Sequence, residues 1–260
     1  MSVQKVTFGS LFAGIGGFDL GFERSGMACK WQVEINPFCQ KVLAKHWPDA
    51  RRHDDVKTFP PTNSEGWRVD VICGGFPCQD ISSANFRGKG IEGARSGLWS
   101  EYIRIVRAVQ PRYVVIENVA AITFRGLDRV LGDLAKSGFD AEWQTISAQM
   151  LGAPHGRERI FIVAYAPGER SNADEVFQGS PFEWASEKQS SRLRVWPGKS
   201  QPSPSLPDRI RWVPNGELLR VVDGIPDQLD RYHSLGNAVV PQVAEWIGRR
   251  IMTGIRGEGP

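Results

Sequence analysis

The stretch KVTFGSLFAGIGGFDLGF, residues 5–22, decides the fold class. Its first part, residues 5–12, has the length and apolar composition of a buried strand, and a helix is predicted from about residue 17 to 24. Gly14, Gly16 and Gly17 form the turn between them. Glycine adopts positive φ and lets backbone N–H groups approach a ligand closely. Because the spacing is not G-x-G-x-x-G, the turn favours a nucleoside cofactor over a nicotinamide, although a purely steric need for glycine explains it equally well.

The same alternation of strand and helix continues over the first two thirds of the chain. Further strands are predicted at 31–35, 69–75, 112–119, 141–146 and 159–165, and helices at 37–46, 98–109, 127–139 and 241–251. Alternation at this spacing implies right-handed crossovers between parallel strands. The predicted fold class is therefore α/β, with a doubly wound, mostly parallel sheet.

The pattern changes at about residue 166 and stays weakly periodic to about residue 215. Residues 187–212 carry six Lys or Arg against two acidic residues, and tryptophans lie in and beside this stretch. A solvated linker and a small basic domain that contacts a polyanion both fit this composition.

The bulk properties exclude several classes of protein. The net charge of +3 permits a nucleic-acid partner without requiring one. The four cysteines lack the spacing of a disulfide framework, and no Cys/His spacing indicates zinc, so we expect reduced thiols and no metal. We find no secretory signal and no apolar run of membrane-spanning length, and expect a cytoplasmic monomer.

A Pro-Cys pair follows the third predicted strand, in GGFPCQDIS (74–82). Pro77 fixes the local backbone, and the preceding glycines allow a sharp turn. A thiolate is a strong nucleophile, so Cys78 at this strand end is a candidate nucleophile. A buried core thiol is the alternative for any single cysteine, and it is our interpretation of Cys29, Cys39 and Cys73. Residues 82–97, rich in glycine and basic residues, are predicted to form a mobile loop that closes over an anionic ligand.

Together these motifs resemble the DNA cytosine-5 methyltransferase family, whose other motifs follow in the family's order. The cofactor side is represented by SLFAGIGGFDLGFERSG (10–26), EINPFC (34–39) and DDV (54–56). The catalytic side is represented by GGFPCQDIS, ENV (117–119) and RER (157–159), and LGNAV (235–239) resembles the final motif. The match covers roughly residues 5–165 and 220–252. The chain departs from the pattern at His155, where the family usually has glutamine.

The resemblance implies a class I S-adenosylmethionine-dependent methyltransferase fold. It also implies methyl transfer from S-adenosylmethionine to carbon 5 of a flipped-out cytosine in duplex DNA. Residues 1–165 and 217–260 would form the catalytic and cofactor-binding domain, with 166–216 as a small, irregular target-recognition region. The matched catalytic residues are Cys78, Glu117, Arg157 and Arg159. The matched cofactor-binding residues are Phe12, Ala13, Gly14, Gly16, Gly17, Glu34, Ile35, Asp55, Val56, Gly74, Pro77, Leu98, Asn237, Ala238 and Val239.

The resemblance also suggests how the nucleic acid is held. The DNA-contacting residues would be Gln79, Ser82, Arg87, Lys89, Arg95, Arg192, Arg194, Arg209 and Arg211. A cognate restriction endonuclease is a partner that the resemblance allows. Two alternatives stay open: methylation of cytosine in tRNA, and a catalytically silent DNA-binding homologue.

The implied chemistry assigns roles to three side chains. The Cys78 thiolate would attack carbon 6, Glu117 would protonate N3, and Arg159 would hold the O2 carbonyl. Glu117 must then be protonated, so we predict that burial raises its pKa once the base has entered.

Overall fold

The computed structural model of the chain describes residues 5–60, 65–77, 97–151, 153, 155–169, 176–177, 181, 184 and 237–256. The strands in these ranges are β1 (Thr7–Leu11), β2 (Ala28–Val33), β3 (Arg51–His53), β4 (Val71–Gly74), β5 (Tyr113–Val119), β6 (Asp140–Ser147) and β7 (Glu158–Tyr165). The helices are α1 (Gly17–Arg24), α2 (Pro37–His46), α3 (Gly97–Val109), α4 (Leu127–Lys136) and α5 (Pro241–Arg256). No helix in the described ranges is long and apolar enough to span a membrane.

The described strands form one sheet in the order β3-β2-β1-β4-β5-β7-β6. The first five of these strands are parallel, and β7 runs antiparallel between β5 and β6. Along the chain, strands are added first on one side of β1 and then on its other side. The connecting helices therefore cover both faces of the sheet. The predicted α/β class with a mostly parallel sheet is confirmed.

Alternate side chains of the central strands enter two separate cores. On β5, Val114 and Ile116 face the core beneath α3 and α4, whereas Tyr113 and Val115 face the core beneath α1 and α5. Successive side chains of a strand point to opposite faces, so a strand buried on both faces reads as a continuous apolar run. This explains why these strands could be found from sequence.

The structure differs from the predicted elements mainly at the sheet edge and at element ends. The edge strand β3 was not predicted because its sequence, Arg-Arg-His, is short, polar and largely exposed. β2 begins at Ala28 and ends at Val33, and α5 continues to Arg256. Element ends depend on backbone hydrogen bonds, which apolar periodicity does not report.

Helix α5 returns to the start of the chain and packs tightly on α1. A methyl group added at Gly21 would lie 2.5 Å from the Ala244 side chain and 2.6 Å from the Pro241 carbonyl oxygen. The two helix backbones therefore approach more closely than a side chain would allow.

Gly21→Ala should lower the free energy of unfolding by about 1–3 kcal/mol, because the added methyl overpacks this interface. Gly132→Ala, on α4, is the matched control: nothing lies within 4 Å of the added methyl there. That change should raise stability by roughly 0.5–1 kcal/mol through better helix propensity. Urea unfolding of both variants measures the difference, and equal stabilities would contradict the packing argument.

Candidate functional site

The carboxyl ends of β1, β2, β4 and β5 meet at one edge of the sheet. In open α/β sheets ligands bind at this edge. The predicted cofactor turn follows β1, Glu34 follows β2, Gly75 follows β4, and Glu117 lies near the end of β5. The topology therefore brings the two groups of predicted site residues to the same side of the molecule.

The turn after β1 has the backbone geometry expected of a ligand cradle. Gly14 and Gly16 have φ angles of 56° and 86°, and Phe12, a non-glycine residue, has φ 52°. A side chain at Gly14 would meet nothing within 4 Å, so the backbone there borders open space. Ala13 N–H donates to the Val33 carbonyl at 3.1 Å, which ties the turn to β2. Positive φ at a bulky residue costs energy and is typical of functional turns.

Glu34 joins this turn to the end of β2. Its Oε2 accepts a hydrogen bond from Gly14 N at 2.7 Å, and its Oε1 accepts one from Asn36 N at 2.8 Å. Each carboxylate oxygen can accept a further bond. The Glu34 carboxylate is therefore fixed in place beside the open turn and keeps capacity for ligand hydroxyl groups.

The segment before α5 lies against the first residues of α1. A methyl group added at Gly17 would lie 2.3 Å from the Val239 carbonyl oxygen. Asn237 is exposed, and Ala238 and Val239 are partly buried in the same segment. The segment before α5 thus lies against the start of α1, directly after the glycine turn.

Other predicted cofactor residues surround the same edge. The Asp55 side chain accepts a hydrogen bond from Lys57 N at 2.9 Å and begins a short 3-10 helix in which Val56 is buried. Ile35 is 70% exposed, which is unusual for a large apolar side chain. Gly74 lies against β1, Pro77 is exposed, and Leu98 is partly buried at the start of α3. Their contact with a cofactor stays a prediction.

A pocket lies beside β5 and β7. Val119 pairs with Arg159, and Glu117 pairs with Phe161, so Glu117 and Arg159 are diagonal neighbours on one face. Arg159 Nε lies 3.1 Å from Glu117 Oε1. The pocket is lined by Glu117, Ile146, Ala148, Arg157, Arg159, Phe161, Val239, Val240 and Val243. The structure therefore brings together three of the four predicted catalytic residues and one predicted cofactor residue.

Two polar atoms in this pocket are buried without a hydrogen bond from the described part of the chain. They are Glu117 Oε1, whose contact with Arg159 is an ion pair without hydrogen-bond geometry, and Arg157 Nε. Buried polar atoms are rarely left unpaired, because each costs free energy. An acceptor and a donor that both lack a hydrogen bond in one pocket are suited to a water molecule or to a polar group of a ligand.

Burial in the pocket makes Glu117 easier to protonate than a glutamate on the surface. Burial raises its pKa, although the nearby Arg159 and Arg157 guanidinium groups act in the opposite direction. Burial also lowers the pKa of Arg157, and the like charge of Arg159 adds to that effect. We predicted this rise for Glu117 on entry of a base, but the protein's own burial of the carboxyl already produces it.

The turn that leads to Cys78 packs directly on the end of β5. A methyl group added at Gly75 would lie 2.5 Å from Glu117 Oε2, so a glycine is needed there to admit the carboxyl group. Asn118 Nδ2 donates to the Phe76 carbonyl oxygen at 3.3 Å. These contacts hold the Gly-Phe-Pro segment against Glu117.

Several predicted residues fall outside the described ranges. They are the nucleophile Cys78 and the DNA-contacting Gln79, Ser82, Arg87, Lys89, Arg95, Arg192, Arg194, Arg209 and Arg211. Most of the predicted region 166–216 also lies there. The apolar pocket walls could not be identified from sequence, because Ile146, Phe161 and Val243 have the pattern of ordinary core residues.

Most of the chain is similar in sequence to a family of known proteins. A family model described as C-5 cytosine-specific DNA methylase matches residues 6–214. The type II methyltransferase M.NgoFVII of Neisseria gonorrhoeae is 28% identical over 240 residues, covering 91% of this chain and 62% of that protein. The type II methyltransferase M.HpaII of Haemophilus parainfluenzae is 33% identical over 172 residues, covering 62% and 46%. The chain thus spans less than two thirds of the length of these relatives.

Solved structures share the fold. A protein described as a DNA modification methyltransferase encoded within an Escherichia coli prophage aligns with a TM-score of 0.55 at 25% identity. That alignment covers 65% of this chain and 49% of the other. The Entamoeba histolytica methyltransferase EhMeth aligns with a TM-score of 0.55 at 18% identity, covering 66% and 56%.

Proposed function

Because the chain belongs to the C-5 cytosine-specific DNA methylase family, we propose that it methylates carbon 5 of a flipped-out cytosine in a short duplex DNA sequence. The observation that carries this proposal is the ion pair of the buried Glu117 with the partly buried Arg159, in a pocket beside the segment that leads to Cys78. A buried acid next to a guanidinium suits a ring that needs a proton at N3 and a donor at its O2 carbonyl.

The residues at the sheet edge fit S-adenosylmethionine as the methyl donor. The open backbone at Gly14 would take the amino-acid part or the sugar, and the Glu34 carboxylate would accept from the ribose hydroxyls. Asp55, Val56 and the exposed Ile35 would border the adenine, and residues 237–239 would close the site from the other side. When bound, the cofactor supplies a methyl group on a positively charged sulfur.

The chain's own residues would then activate the base. The Cys78 thiolate bonds to carbon 6, while Glu117 delivers its proton to N3 and leaves an electron-rich carbon 5. Carbon 5 takes the methyl group, a base removes the proton at that carbon, and the sulfur leaves carbon 6 as Glu117 recovers its proton. Arg159 holds the O2 carbonyl, and Arg157 supports the pocket.

The target carbon cannot be reached inside a duplex, so the cytosine must leave the stack. Residues 79–97 would close over the extruded base, and the region 166–216 would read base edges and hold phosphates with its arginines. Residues 1–165 and 217–260 would form the catalytic domain. We propose a cognate restriction endonuclease as its functional partner.

Bisulfite sequencing of a plasmid from an expressing host tests this proposal and finds the target sequence. We expect one short motif to be protected at cytosine. Radiolabelled methyl transfer to duplex DNA and to tRNA is the accompanying assay. Label that enters tRNA alone would overturn the DNA assignment, and label in neither would favour a silent homologue.

Glu34→Ala should weaken S-adenosylmethionine binding by about tenfold or more, because it removes a charged acceptor and releases the Gly14 N–H. Glu169→Ala is the control, since Glu169 pairs with Arg112 beside the start of β5, at the opposite end of the strand from this edge of the sheet. Its affinity should be unchanged. Isothermal titration calorimetry gives both dissociation constants, and equal values for Glu34→Ala and the wild type would contradict the ribose assignment.

A further inference from the structure

Asp19 is a fully buried carboxylate that the proposed chemistry does not use. It is the third residue of α1 and is 0% exposed. Burial raises its pKa to about 6, although hydrogen bonds from Gln32 and Ser10 lower it. Among the described residues it forms no ion pair with a Lys, Arg or His. Burying a carboxylate in this way costs folding free energy, so what it holds in place matters.

The hydrogen bonds of Asp19 connect three elements. Its Oδ2 accepts from Ser10 Oγ at 3.1 Å, and its Oδ1 accepts from Gln32 Nε2 at 2.8 Å. Ser10 and Gln32 are register partners on β1 and β2. The Cys29 thiol, also on β2, lies 3.5 Å from Oδ1. The Asp19 carboxylate thus connects the start of α1 to two adjacent strands, at two residues that are paired with each other.

These contacts lie directly below the cofactor turn. Ser10 comes two residues before Phe12, where the backbone turns to positive φ, and Gln32 comes two residues before Glu34. Asp19 itself follows Gly16 by three residues. The relative position of Gly14 and Glu34, which share a 2.7 Å hydrogen bond, therefore depends on strands and a helix that Asp19 joins.

We propose that Asp19 is a positioning residue for the cofactor site, which holds the glycine turn and Glu34 in the geometry that binds the methyl donor. The inference rests on the proposed function, because it names that same site. Binding is tighter when the protein groups are fixed before the ligand arrives, since less conformational freedom is lost on binding. Removing the hydrogen bonds of Asp19 should therefore weaken binding of the methyl donor, although no contact with the ligand is removed.

Calorimetric titration of S-adenosylmethionine tests the inference with three variants. Asp19→Ala removes all the acceptors and should weaken binding by about tenfold. Asp19→Asn keeps the shape and one acceptor oxygen, and should stay within about threefold of the wild type. Asp70→Asn is the matched control: its carboxylate accepts from Thr7 at the opposite end of β1, at 2.8 Å, and its affinity should be unchanged.

The outcomes separate the inference from the proposed function. A wild type that binds no S-adenosylmethionine overturns both. A wild type that binds, with Asp19→Ala binding equally well, overturns the inference alone and leaves Asp19 a purely structural residue. If Asp19→Ala does not fold, as judged by circular dichroism, Ser10→Ala carries the test. It removes one donor and little volume, and should weaken binding by about threefold, whereas unchanged affinity would reject the positioning role.

Discussion

Replacing Cys78 by alanine should reduce methyl transfer to duplex DNA by on the order of 10⁴-fold or more. Carbon 5 of an aromatic cytosine is a poor nucleophile, and the proposed bond from sulfur to carbon 6 is what makes it reactive. Alanine cannot form this bond, and water in its place is far less nucleophilic. Binding of S-adenosylmethionine should persist, because the variant leaves the glycine turn after β1, Glu34 and residues 237–239 unchanged.

Cys39→Ala is the matched control for this variant. Cys39 is a buried thiol on α2 and has no role in the proposed chemistry. Its replacement should leave the single-turnover rate within about threefold of the wild type, since a small buried residue is exchanged for another. Substantial methyl transfer by Cys78→Ala would reject the nucleophile and leave the covalent mechanism without support.

Glu117→Gln should lower the single-turnover rate by about 10²- to 10⁴-fold, because glutamine has the shape of the acid but cannot deliver a proton to N3. Burial raises the pKa of Glu117, so the protonated form persists to higher pH than on the surface. The wild-type rate should therefore fall as pH rises through this pKa. The variant should lack that fall.

Stability distinguishes this effect from general damage to the fold. A carboxyl group whose pKa is raised by folding binds its proton more tightly in the native state. Ionisation of this group therefore destabilises the native state as pH rises above the pKa that the group has in the unfolded chain. Glutamine carries no charge, so Glu117→Gln should unfold at an equal or higher urea concentration than the wild type at pH 8. A variant that is both inactive and much less stable would contradict this explanation.

The local geometry of the predicted cofactor turn could largely be predicted from sequence. The glycines at positions 14 and 16 predict a turn with positive φ angles. Glu34 follows a strand that the alternation of strands and helices along the chain predicts. Local chemistry determines such features, so adjacent residues reveal them. Arg159 and Glu117 were likewise found from their motifs, although their 3.1 Å contact depends on the register of β5 and β7.

The pocket walls and the supporting contacts could not be predicted in the same way. Val243 lies more than eighty residues from Phe161 in the chain, and both look like core residues until the antiparallel β7 and helix α5 place them in one pocket. Gly75 looked like a turn glycine, but its close approach to Glu117 comes from the pairing of β4 with β5. Asp19 could not be singled out, because an acidic residue in the first turn of a helix is common for its favourable interaction with the helix dipole.

The most direct test of the covalent mechanism is to trap the protein on duplex DNA that carries 5-fluorocytosine at the target found by bisulfite sequencing. Fluorine at carbon 5 cannot be removed as a proton, so the sulfur should stay bonded to carbon 6 when S-adenosylmethionine is present. We predict a stable protein–DNA adduct that peptide mass spectrometry maps to Cys78. Absence of an adduct through that sulfur, in a preparation that methylates ordinary target DNA, would contradict the account.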